Sequence, residues 1–155
     1  MELGKTLEQN GFHREAISVY RVEAIQRDRD YAPLQGLFEA CLEALEPSTG
    51  IDIIKQIDSR DFPAPPGLTA DYLNEQNARF LLISRDIERL SQLSRFPASV
   101  NDKIPVTARS HLPFQDALVE AYRQRGEDEP LLRLLAHMGI RSTRVMINCS
   151  SGRGC

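Results

Sequence analysis

The chain has 155 residues, 41% of them hydrophobic and 26% charged, with no Trp. That length suits one domain whose continuous core buries roughly two-thirds of the unfolded surface, and the apolar content is too high for a disordered chain. Net charge is −3, but residues 141–155 hold Arg141, Arg144 and Arg153 and no acid, so the preceding residues carry −6, an acidic body that argues against direct nucleic-acid binding.

Glu2 to Asn10 forms a short helical stretch stopped by Gly11. Phe12 to Asp28 resumes with Phe12, Ala16, Ile17, Val19, Tyr20 and Ala24 recurring mostly at three and four, which predicts helix, tight turn, helix. Tyr31 to Leu45 is the clearest helix. Its Leu34, Leu37, Phe38, Cys41, Leu42 and Leu45 make one apolar stripe, and Pro33 falls in its first turn, where a missing N–H is tolerated. Glu46-Pro47-Ser48 breaks the chain, and Ser48 or Thr49 is positioned to cap a helix carrying Ile51, Ile54 and Ile57.

Asp61 to Gly67 contains three prolines and cannot be helical, so it reads as a stiff connector. Thr69 or Asp71 starts the next helix, which runs to about Ile83. Ser84 to Arg95 continues with Ile87, Leu90 and Leu93. Phe96 to Ser110 is the longest predicted loop. Pro113 then opens a helix bearing Phe114, Ala117, Leu118, Ala121 and Tyr122, ended by Gly126, and a last helix with Leu131, Leu132, Leu134, Leu135 and Met138 stops at Gly139. No segment alternates long enough to found a sheet. The expected fold is all-α: antiparallel helix pairs stacked as an α-solenoid over residues 1–140, followed by a disordered tail at 141–155.

No apolar run approaches the ~20 residues that span a bilayer, and the first ten residues lack the basic and apolar regions of a secretory signal, so an intracellular location without membrane association is expected. The three cysteines, Cys41, Cys149 and Cys155, have no metal-gathering or redox spacing. Cys41 reads as a small core residue. No metal, cofactor or small-molecule substrate is expected.

Other residues that suggest chemistry have simpler readings. His13-Arg14-Glu15 is similar to a kinase catalytic-loop triplet, yet it opens a helix and no Asp-Phe-Gly or glycine loop accompanies it. His111 and His137 lie far apart at no metal-like spacing. Asp28-Arg29-Asp30 and Glu127-Asp128-Glu129 flank helix starts, where acids complement the dipole. Cys149 to Cys155 has the glycine and arginine of an anion loop without the strand and helix that would hold it.

Leu3-Gly4, Leu7, Gly11, Ala16, Tyr20 and Ala24 resemble the small and large positions of a tetratricopeptide repeat, with Ala24 one place late. In such a pair Gly4 and Ala16 let two helices approach while Leu7 and Tyr20 fill the space between them. Over residues 2–140 the order of features is similar to the FAT region, the helical-repeat array of phosphatidylinositol 3-kinase-related kinases, most of all their checkpoint-kinase branch. The features are Ala16-Ile17, Tyr20, Ala24-Ile25, Leu42 and Leu45, Ser48-Thr49-Gly50-Ile51, Ile53-Ile54, Leu73-Asn74 and Ile83-Ser84 with Asp86. The resemblance implies a non-catalytic scaffold in a large serine/threonine kinase of the DNA damage response, nuclear, with the kinase domain as partner. The alternative is a free-standing, cytoplasmic tetratricopeptide adaptor that receives a partner peptide. Lys5 follows Gly4 where carboxylate-clamp repeats place an asparagine, which departs from that mode of peptide capture; the candidate partner site is instead a groove lined by Lys5, Gln9, Asn74 and Asn77.

Overall fold

A computed structural model describes residues 2–93 and 104–137. Among the described residues all regular structure is α-helical, with no strand. The helices are α1 (Glu2–Gln9), α2 (His13–Gln26), α3 (Tyr31–Glu43), α4 (Pro47–Asp58), α5 (Ala70–Ser84), α6 (Ile87–Gln92), the single turn α7 (Val106–Arg109), α8 (Leu112–Arg125) and α9 (Asp128–His137). None is long and apolar enough to cross a membrane. The expected stop at Gly139 and the expected tail lie outside the described residues.

The corners follow one recipe. At the ends of α1, α3, α4, α5 and α8 a residue with positive φ reverses the chain, and the next N–H donates to a carbonyl five residues back. The pairs are Phe12 to Leu7, Glu46 to Cys41, Asp61 to Gln56, Asp86 to Leu81 and Glu127 to Tyr122, all at 2.8–3.0 Å. This is the Schellman closure, which satisfies carbonyls that the last turn leaves orphaned. Gly11 and Gly126 take the left-handed position at no steric cost. Leu45, Arg60 and Arg85 take it elsewhere, with φ of 54°, 65° and 58°, against a Cβ clash worth about 1–2 kcal/mol each.

Two of those corners, at Leu45 and Arg85, explain where helix boundaries depart from expectation. Leu45 turns the chain instead of ending the α3 stripe. Glu46 is the N-cap of α4, without a side-chain bond, and neither Ser48 nor Thr49 caps it. Pro47 stands at the first position of that helix, where its fixed φ is already helical. Arg85 separates α5 from a shorter α6, which Asp86 caps by accepting from the Arg89 N–H at 3.1 Å. Thr69 does cap α5, accepting from the Tyr72 N–H at 3.2 Å. The proline connector is pinned by Phe62, only 4% exposed.

The core is one cluster running from Ala16 to Leu135. Its closest approaches are made by glycine against an aromatic ring. A Cβ at Gly4 would sit 2.6 Å from Tyr20 Cε1, one at Gly36 2.8 Å from the same atom, and one at Gly50 2.2 Å from Phe80 Cζ. Tyr20 on α2 therefore packs directly on the backbones of α1 and α3, and Phe80 on α5 packs on α4. The expected roles of Gly4, Ala16, Leu7 and Tyr20 are met: Ala16 is fully buried and Leu7 packs on the cluster. Gly36 and Gly50 extend the same device to later helices.

Neighbours in sequence are neighbours in space. The chain packs α1 on α2 and α3, α2 on α3, α3 on α4 and α5, α4 on α5, α5 on α6 and α8, α6 on α8, and α8 on α9. Two packings reach further along the chain: α5 on α8, and α7, which reaches back to α3 while also touching α8. It lies in the stretch expected to be loop: Ile104 is 1% exposed and Ala108 fully buried, so residues 104–110 form a packed element.

Candidate binding face

The side of the molecule shared by α1 and α3 carries two adjoining hollows. The larger, about 440 Å³, is lined by Glu8, Gln9, His13, Glu39, Glu43 and the Ile104-Pro105 segment. The smaller, about 220 Å³, is walled by Lys5, Glu8, Tyr20, Gln35 and Glu39. Helical spacing places these groups: Lys5 and Gln9 stand one turn apart on α1, and Gln35, Glu39 and Glu43 stand on successive turns of α3. The glycines behind them bring α1 and α3 close enough for Glu8 and Glu39 to border both hollows.

Tyr20 ties the face to the core. Its ring is 2% exposed, and its hydroxyl donates to Glu8 Oε2 at 2.7 Å. Burial, and then the bond to a carboxylate, push the Tyr20 phenol well above its ordinary range. Burial likewise raises the Glu8 carboxyl, and the nearby Glu39 and Glu43 carboxylates add to the rise. The Tyr20 hydroxyl and His13 pull the other way without cancelling it.

Of the four residues expected to form a groove, Lys5 and Gln9 line this face. Asn74 and Asn77 stand half-buried on α5 and border neither hollow. The structure thus divides the expected set in two. The residues that sequence reasoning missed are Glu8, Gln35, Glu39 and the Ile104-Pro105 segment. The two glutamates were visible as solvent-side positions of their helices, but only the packing shows that they face each other across α1 and α3. On α5 the polar chemistry is buried: Arg79, 8% exposed, bonds Glu75 and Gln76 along its own helix, and on the same helix the Tyr72 ring meets Tyr31 edge-on at 5.2 Å.

The remaining candidates have structural places. His13 is the first residue of α2, and Arg14 pairs with Glu46 at 2.8 Å, joining the α1–α2 hairpin to the α3–α4 corner. Asp30 caps α3 by accepting from the Ala32 N–H at 3.0 Å and also pairs with Arg27. Glu127 holds Arg125 at 3.1 Å, and Glu129 pairs with Arg133 one turn along α9. His111 precedes α8 without a side-chain capping bond, and His137 is the last described residue of α9. Cys41 is fully buried, its thiol pushed up to about 12 by burial. Among the described residues no three His, Cys, Asp or Glu side chains are grouped to hold a metal ion.

A third hollow, about 430 Å³, lies between α6 and α8 and is floored by Ile87, Leu90, Leu93 and Ala121. Comparisons with protein-family models, with curated proteins and with solved structures find no match for this chain.

Proposed function

We propose that the chain is a helical-repeat scaffold that works by holding a protein partner and carries no catalytic site of its own. In this reading its helix pairs stack as an α-solenoid, and the α1–α3 face is where the partner sits. The observation that supports it most directly is the order of packing: from α1 to α6 each helix packs on the next, and α8 packs on α9, as expected where every pair leaves an apolar side for its successor. The sequence resemblance makes it a FAT-like segment that supports the catalytic domain of a large nuclear serine/threonine kinase. The transcript that encodes the chain tests this: an open frame continuing into a kinase catalytic domain is expected. A frame that ends without one removes the kinase reading.

One observation favours the second reading, a tetratricopeptide-like adaptor for a peptide. The two hollows adjoin along α1 and α3, and Lys5, Gln9, Gln35 and the Glu8 and Glu39 carboxylates line them. Such a row of donors and acceptors suits the main chain of an extended segment. The two readings share the scaffold and differ in whether the partner is in the same chain.

A further inference from the structure

We infer that residues Ile104–Ser110 are an autoinhibitory strap, a piece of this chain seated on the α3 side of the binding face, which a partner segment must displace to bind. The inference rests on the scaffold reading for what is inhibited, but the strap itself is a matter of packing. Three observations carry it. First, α7 returns across α4, α5 and α6 to touch α3. Second, Ile104 and Pro105 wall the same hollow as Gln9, Glu8 and Glu39, so the face expected to receive a partner already borders an own-chain segment. Third, the segment is held as a short peptide ligand is held, by anchors on one side. Ile104 and Ala108, four residues apart, are buried, whereas Val106 between them is 70% exposed and Ser110 is also exposed.

The strap is also held by few anchors compared with the long helices of the core. Helices α3 and α5 each contribute seven buried residues, and the strap contributes Ile104 and Ala108 among its described side chains. Its own backbone closure consists of bonds from Arg109 N–H to Pro105 O at 2.9 Å and from Ser110 N–H to Val106 O at 3.1 Å. Elements with few buried contacts open at free energies below that of global unfolding. The strap also states what its competitor would look like: an aliphatic anchor followed by proline, then a small residue four positions after the anchor.

Two measurements decide the matter, and both use the full chain. In native-state hydrogen exchange the Arg109 and Ser110 amides are expected to exchange by a local opening that leaves α3 and α5 protected. Exchange of those two amides only by global unfolding would overturn the inference. In the second, Ile104→Asp places a carboxylate beside Glu8 and Glu39 and releases the strap in cis. A synthetic peptide of residues 101–112 is then titrated onto the variant and the parent, followed by fluorescence anisotropy. The variant is expected to bind at least about tenfold more tightly, because the parent binds only through its small open fraction. Equal binding, or binding to neither, refutes the strap. Should Ile104→Asp not fold, the exchange measurement on the parent decides alone. The probe is the chain's own segment, so this result stands apart from the transcript test of the scaffold reading.

Discussion

Gly36→Ala should destabilise a helix that propensity alone says it should strengthen. Alanine is favoured over glycine inside a helix by about 0.8–1 kcal/mol. At this position, however, the new methyl would stand 2.8 Å from both Cε1 and Cζ of Tyr20. The ring cannot swing clear, because Gly4 already lies against the same edge and the hydroxyl at its far end is bonded to Glu8. Relief must come from moving α3 away from α2. Overpacking of this kind costs typically 1–3 kcal/mol, and taking the upper half of that range leaves a net loss of about 1–2 kcal/mol. For a chain of this size that corresponds to a melting temperature lower by roughly 3–6 °C. Thermal and urea unfolding followed by circular dichroism at 222 nm would measure it. The control is Gly36→Ala in a Tyr20→Leu background, where the edge is gone and the substitution should stabilise by up to about 1 kcal/mol. A parent-background Gly36→Ala that melts higher than the parent would refute the reasoning, since the close approach would then not be rigid.

Ala16→Arg should unfold the first hairpin, because a fully buried methyl position would receive a long cation at a cost of several kcal/mol; a variant that melts with the parent would show that Ala16 does not face a helix. Glu8→Gln keeps an acceptor for Tyr20 and removes a carboxyl whose folded pKa is raised. A raised acid binds more protons folded than unfolded, so its contribution is complete below the unfolded value and is lost as pH rises through the folded one. The variant should therefore melt above the parent at pH 7, with the gap closing as pH falls towards the unfolded value of 4.5; a gap that does not depend on pH would remove the electrostatic account. Cys41, buried with its thiol pushed up to about 12, should resist alkylation at pH 8 until the chain unfolds, as read by peptide mapping, since the thiolate is the reacting form.

The helical periods were legible because α3 and α8 place most of their apolar residues at three-and-four spacing, and burial follows that spacing at Leu34, Leu37, Phe38 and Cys41. Corners marked by glycine were equally legible, at Gly11 and Gly126. Leu45, Arg60 and Arg85 were not, because a left-handed leucine or arginine has no local signature and is set by the helices it joins. The close approaches at Gly36 and Gly50 went unread: a glycine inside a helix costs propensity, but which ring fills the space, Tyr20 or Phe80, is set by the packing. The candidate face was half legible. Lys5 and Gln9 follow from the first repeat, but Glu39 joins them only through the packing of α3 on α1. The strap was illegible, since four helical residues and two buried anchors are too short for any periodic pattern.

The return of α7 to α3 also orders events in time. The α1 and α3 walls of the face are in place once Glu43 has emerged, whereas Ile104 and Ala108 come some sixty residues later. At ordinary synthesis rates that interval is roughly 3–13 seconds. A nascent chain would thus present the α1 and α3 walls before it has made the segment that borders them. A partner translated nearby would meet no competitor in that interval, whereas one arriving later would have to expel the strap.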